Sequence, residues 1–313
     1  MKKITAIVLA VMMVFALCAC GGGGDNLTFV TGGETGTYYA FGTVLAQQVS
    51  DKTDTSITAV VGNGSKANVE DLASGGAQLA FCQSDVMSYA YSGTNLFADS
   101  GAVKDFSVVA ALYMEQVQIV TMNPDIKTVS DLKGKKVSIG ASGSGVYFNA
   151  MDVLKAYDMS VDDIDPQYLD FGDSAEGLKD GKIDAAFIVA GAPTAAITDL
   201  STSGQVYLVS LDDEHIEKLI EMSPYYSAYT VSADTYGMPE DAKTVAVAAM
   251  VIARNDVSED AIYTFVSTIF ENADQLQHGK AAELNLEFAS SISSVPYHPG
   301  AARYFAEKGI NVG

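Results

Sequence analysis

Three short turns in this chain are rich in Gly, Ser and Thr, and each stands between an apolar run and a helical pattern. They cover residues 31–37, 62–65 and 141–145. At the start of a helix the first backbone N–H groups lack internal partners, and the helix dipole adds about half a positive charge. Several such starts facing one another bind an anion without any basic side chain. The anionic end of a small molecule is therefore expected on Gly36, Thr37 and Tyr38 from one side and on Ser142, Ser144 and Gly145 from the other. Gln83, Ser84 and Glu115 are candidates for its amine or hydroxyl end, with Glu115 the natural partner of an α-amino group. Lys66 follows Ser65 at a predicted helix start, where a cation opposes the dipole, so a ligand contact would account for its position.

Catalysis is poorly supplied. The three histidines, His215, His278 and His298, fall in no metal spacing, and no cysteine cluster exists for zinc. Ser142-Gly143-Ser144-Gly145 matches no serine-nucleophile motif, and the glycine-rich turns lack the dinucleotide-binding spacing. The expectation is a binding protein, not an enzyme, with no cofactor and no metal. The charge balance is 18 basic against 39 acidic residues, a formal −21, which disfavours nucleic acid and anionic membrane surfaces as partners.

The elements that must position these residues alternate strand and helix, the signature of an α/β fold. Part of the pattern is written twice. Gly36-Thr37-Tyr38-Tyr39 is echoed 109 residues later by Gly145-Val146-Tyr147-Phe148, and the E-x-L-x-x-G-x-x-x-x-A-F frame starting at Glu70 returns 106 residues later at Glu176. A unit of that size is a lobe rather than a solenoid repeat, and two such lobes leave a cleft where small ligands bind. Strands are expected at 27–31, 57–61, 106–113, 117–122, 137–140, 185–190, 206–209, 229–232 and 245–253, with Glu115 breaking the fourth strand from the third. The last of these suits a segment passing back between lobes, and helices at 259–272 and 279–289 close the chain ahead of a tail at 295–300. The expected division is lobe 1 at 26–113 plus 251–313 and lobe 2 at 114–250.

Residues 1–19 read as a secretory leader: Met1-Lys2-Lys3, an apolar run, and the exit Leu17-Cys18-Ala19-Cys20. The run is too short to span a bilayer. Leu-x-Ala-Cys is also a lipobox, which makes Cys20 the lipidated first residue and residues 20–25 a glycine-rich tether. Loss of Lys2 and Lys3 takes the formal charge from −21 to −23. Cys82 is then the one thiol left unmodified, in an apolar run, so no intramolecular disulfide is expected.

The ordered motifs carry a resemblance. Thr31-Gly32-Gly33-Glu34-Thr35-Gly36-Thr37-Tyr38-Tyr39 resembles the opening of TAXI-type solute-binding proteins, the receptors of one class of TRAP transporters. Gln83-Ser84-Asp85, Leu112-Tyr113-Met114-Glu115, the segment 131–140, Gly143-Ser144-Gly145, Ala190-Gly191-Ala192-Pro193, Pro224-Tyr225-Tyr226 and His298-Pro299-Gly300-Ala301 follow in family order. The resemblance covers essentially the whole chain after the leader. It implies a two-lobed periplasmic-binding-protein fold of the second type that closes on a solute such as glutamate, glutamine or 2-oxoglutarate. It also implies delivery to an ion-gradient-driven TRAP permease in the bacterial membrane, by a monomeric, extracytoplasmic, lipid-anchored receptor. It extends the expected site to Thr35, Gly64, Ser65, Gly143, Gly191, Ala192 and Tyr226. Lys66 departs from the small or apolar residues usual in the family, and favours a second carboxylate on the ligand. An ABC importer's receptor and a ligand-sensing surface lipoprotein are the alternative readings.

Overall fold

The computed structural model describes residues 25–312; the expected leader, the lipidated Cys20 and tether residues 21–24 lie outside the described residues. Asp25, expected to end the tether, is already held by the fold. Its carbonyl accepts from the Ser56 N–H at 2.8 Å and its carboxylate from the Ser258 hydroxyl at 2.7 Å.

The strands are β1 (Asn26–Val30), β2 (Ser56–Val60), β3 (Leu79–Gln83), β4 (Phe106–Thr121), β5 (Lys136–Ser138), β6 (Asp165–Gln167), β7 (Ala185–Ala190), β8 (Tyr207–Leu208), β9 (Ser227–Val231) and β10 (Ala242–Arg254). The helices are α1 (Thr37–Lys52), α2 (Ser65–Ser74), α3 (Ser84–Ser92), α4 (Val146–Ala156), α5 (Phe171–Lys179), α6 (Ala195–Ser203), α7 (Asp213–Met222), α8 (Glu259–Glu271), α9 (Leu286–Ala289) and α10 (Pro299–Glu307).

The main sheet runs β2-β1-β3-β10-β4-β7-β5-β6. Pairings of β1 with β2 and β3, and of β5 with β6 and β7, are parallel, whereas β4 and β10 pair antiparallel to each other and to their neighbours. Parallel neighbours need a crossover, and a helix supplies each one. Each flank is thus the same β-α-β-α-β unit with its first strand in the middle. Within each unit the repeated frame is a helix, a left-handed glycine and a buried strand: α2, Gly75 at φ +84° and β3 in one, α5, Gly181 at φ +66° and β7 in the other. Both strands are buried along their whole length, as their unbroken apolar runs require.

One apolar cluster draws on residues 27–113 and 248–305, joined by Phe148, and two more draw on 117–247. Phe81 stacks on Phe29 at 5.0 Å and on Tyr38 at 4.6 Å, which ties α1 to the sheet.

Three expectations need correction. Residues 106–121 form one strand, because β10 keeps pairing through the acidic position, with Glu115 opposite Val247. The expected helix 279–289 is a 3-10 turn at Gly279–Glu283 followed by α9. Two caps seven residues apart divide it: His278 Nδ1 accepts the Lys280 N–H at 3.1 Å and Asn285 Oδ1 the Phe288 N–H at 2.8 Å. The expected tail ends in a helix start, with His298 capping α10 and Pro299 at its first position.

Candidate functional site

Four strand-to-helix turns, two from each unit, converge at the C-terminal ends of the parallel strands. They join β1 to α1, β2 to α2, β5 to α4 and β6 to α5, and they enclose a cavity of about 440 Å³, within the usual range for small-molecule sites. Three of the helix starts, those of α1, α2 and α4, have glycine at the cap (Gly36, Gly64, Gly145) and no side-chain acceptor on their first N–H groups. The fourth differs, because Asp170 caps α5 by accepting the Asp173 N–H at 2.8 Å.

The walls meet closely. Thr37 Oγ1 donates to the Gly191 carbonyl at 2.9 Å, the Ala67 N–H to the Gly143 carbonyl at 3.1 Å, and the Ala196 N–H to the Thr35 carbonyl at 3.2 Å. Glycine is required where these surfaces touch. A Cβ on Gly64, whose φ is +96°, would stand 2.9 Å from the Ser144 Cα, and one on Gly145 would overlap Gln83 Oε1. Gly36 is less constrained, since a Cβ there would only come into contact with the Phe171 ring at 3.4 Å.

Glu115 forms part of the cavity wall, is 2% exposed, and accepts the Tyr38 hydroxyl on Oε2 at 2.7 Å; no hydrogen bond reaches its Oε1 among the described residues. Burial pushes its carboxyl up to about 8, opposed by the Tyr38 bond and the field of Lys280. The neighbouring polar residues of β4 are satisfied inside the protein. Gln116 Oε1 accepts the Ala192 N–H at 2.7 Å, and Gln118 bridges the Ala190 carbonyl at 3.2 Å and the Tyr236 hydroxyl at 2.6 Å. Of the polar trio on this strand, Glu115 alone faces the cavity.

Behind the cavity a polar chain joins the two units. Gln83 Nε2 donates to Asn149 Oδ1 at 2.8 Å, and Asn149 Nδ2 donates to Asp85 Oδ2 at 3.0 Å and to the Tyr226 hydroxyl at 2.8 Å. Tyr226 in turn donates to Asp152 at 2.9 Å. Burial lifts the Asp85 carboxyl to about 7, against the pull of the Val86 N–H and Asn149.

A family model for the NMT1-like family matches residues 29–309. The chain belongs to the NMT1-like family. The alkanesulfonate-binding protein SsuA from Xanthomonas axonopodis pv. citri, solved bound to MOPS, is 17% identical to this NMT1-like protein. The alignment covers 91% of this chain and 85% of that one, with a TM-score of 0.52. MatC from Rhodopseudomonas palustris, solved with bound malate, is 14% identical over 82% of this chain and 86% of that one, with a TM-score of 0.54. The NMT1-like protein has the α/β fold of periplasmic binding proteins, as the alternation of strand and helix led one to expect.

In this NMT1-like protein the expected site residues Thr35, Gly36, Thr37, Tyr38, Gly64, Ser65, Gln83, Glu115, Ser144 and Gly145 all line the cavity. The other seven do not. Lys66 turns outward along α2, pairs with Glu70 one turn on and sits 5.6 Å from the Phe97 ring. Ser84 Oγ accepts the Ala248 N–H at 3.3 Å under β10. Ser142 is exposed on the outer side of its turn, and Gly143 spends its carbonyl on Ala67. Gly191 and Ala192 sit one layer back, with the Gly191 carbonyl taken by Thr37 and the Ala192 N–H by Gln116. Tyr226 belongs to the polar chain behind.

The start of α5 escaped the sequence reading, although Asp170, Phe171, Gly172, Asp173 and Glu176 all line the cavity. Its turn carries no run of glycine or serine. The duplication held the clue: displaced by 106 to 109 residues, the turn at 62–65 falls on 168–174.

Proposed function

We propose that this protein is an extracytoplasmic solute receptor, anchored through a lipid on Cys20, that hands a small polar solute to a TRAP-type membrane permease. The observation that carries the reading is the cavity enclosed by paired strand-to-helix turns, with three glycine-capped helix starts turned toward it. The fold shared with binding proteins supports it. In this reading lobe 1 is 26–113 plus 251–313 and lobe 2 is 114–250. The solute's anionic group lies on the first N–H groups of α1 and α4, between Gly36, Thr37, Ser144 and Gly145, with Gln83 beside Gly145, and its other polar end lies toward Glu115. Cross-cleft bonds such as Thr37 to Gly191 hold the closed form.

Native mass spectrometry of the purified protein, followed by thermal-shift screening of amino acids and organic acids, tests the receptor role. A ligand at a hundred times its dissociation constant adds about 2.7 kcal/mol, which is easily seen. One small solute bound and stabilising supports the reading; no shift with any of them defeats it. Uptake that stops when the ion gradient is collapsed but survives ATP depletion tests the TRAP partner, and the opposite dependence assigns an ABC importer.

A further inference from the structure

Resting on the receptor reading, we infer that the solute carries a cationic amino group, with a net charge of zero or above, and that dicarboxylates are excluded. Among the described residues the cavity wall contains five acidic side chains, Glu34, Glu115, Asp170, Asp173 and Glu176, and no lysine, arginine or histidine. None of the five takes part in the ion pairs of the described residues. Lys66, the basic residue closest in sequence to a cavity turn, is committed to Glu70. Arg254 pairs with Asp256, and Arg303 with Glu259 and Asp260.

Lys280, buried behind Gly191, reaches Glu115 through its field but pairs with Glu283 and is not part of the wall, so the positive groups that face the cavity are backbone N–H groups. The starts of α1, α2 and α4, which lack side-chain caps, supply them, although on α2 the Ala67 N–H is spent on the Gly143 carbonyl; this suits one carboxylate. A second carboxylate would have to lie among like charges with no cationic side chain in the wall to pair with, Lys280 behind it being committed to Glu283, which costs free energy in an enclosed space. An ammonium group meets the opposite situation. Glu115 is buried with Oε1 free among the described residues, held by the Tyr38 hydroxyl on its other oxygen, and it gains a partner when an amine arrives. The four acidic side chains other than Glu115, on the turn at Glu34, the cap Asp170 and the first turns of α5 at Asp173 and Glu176, are exposed, so they reinforce the same preference at the cavity's edge. The charge pattern thus divides the acids named in the sequence analysis. Amino acids such as glutamine fit it, and 2-oxoglutarate does not.

Calorimetric titration of the full-length protein with the twenty amino acids, and with the 2-oxo acid matching each one that binds, tests this. Replacing the amine by a carbonyl should weaken binding by about 100-fold or more, and Glu115→Gln should shrink that gap to roughly tenfold or less. The wild-type comparison stands even where the variant fails to fold. A 2-oxo acid, a di-acid or a neutral sugar that binds as tightly as any amino acid overturns the charge assignment and leaves the receptor reading in place. Absence of binding by all of them, with nothing co-purified, overturns both.

Discussion

Asn149 on α4 donates its side-chain amide to the Asp85 carboxylate at the start of α3, 3.0 Å away, across the boundary between the two β-α-β-α-β units. Nothing of the cavity lies on Asp85, yet one further bond, Asn149 to Gln83, connects it to the cavity wall. A buried carboxyl therefore sits at a junction that the two units share.

That junction makes stability depend on pH. Burial holds Asp85 at about 7 and Glu115 at about 8, whereas both are near 4 in an unfolded chain. Between roughly pH 4 and 8 the native state binds more protons than the unfolded chain, so its stability falls as pH rises. A three-unit shift on one carboxyl is worth on the order of 4 kcal/mol. The ligand-free protein should melt lower at about pH 8 than at about pH 5, and Asp85→Asn should flatten the curve. A melting temperature that climbs over this range contradicts the assignment.

Glu115 should also report the ligand's charge. Its carboxyl, at about 8, is mostly protonated near pH 7. An ammonium group beside it favours the carboxylate, so binding should release up to about one proton there. Titrations in two buffers of different ionisation enthalpy count it. Glu115→Gln should abolish the release, and proton uptake by the wild type would refute this.

Gly145→Ala is expected to act on closure rather than on folding. Its φ of −70° suits any residue, but the new methyl would overlap Gln83 Oε1. A tenfold smaller closed population raises the apparent dissociation constant by about tenfold. Melting of the ligand-free variant should stay within a few degrees of wild type, at roughly 1 kcal/mol or less.

Ser144→Phe puts a ring where the walls already touch, since Gly64 leaves no room beside the Ser144 backbone. Ligand affinity should drop by about 100-fold or more with secondary structure unchanged by circular dichroism. Unaltered affinity would remove Ser144 from the site.

Gly300→Ala checks the opposite kind of residue. A Cβ there would run into the Glu259 carbonyl and stand 2.7 Å from the Tyr263 nitrogen, where α10 packs on α8. A loss of about 2 kcal/mol is expected, with ligand affinity unchanged. The motif His298-Pro299-Gly300-Ala301 is thereby a packing device.

How much of this was legible depended on whether the signal was local. Glycine caps and turn residues act on their own backbone, so Gly36, Gly64 and Gly145 marked three of the four turns. The direction of a side chain is set by distant partners. Lys66 faces Glu70 and Phe97 rather than the cavity, and no local rule chose between them. Glu115 misled as a strand breaker yet was right as a cavity residue, because both follow from a polar group in an apolar run. Pairing with β10 overrode the first. The turn into α5 was invisible to composition, since Tyr168-Leu169-Asp170-Phe171 has the residues of an ordinary connection.

The palindromic strand order has a consequence for recognition. Exchange β1 with β5, β2 with β6, β3 with β7 and β4 with β10, and the order reads the same. The main chain around the cavity thus approaches two-fold symmetry, and a cradle with a two-fold axis cannot tell the head of a molecule from its tail. That choice falls to the side chains that break the symmetry. Glu115 is one, because the exchange sets β10 and its alanines in place of β4.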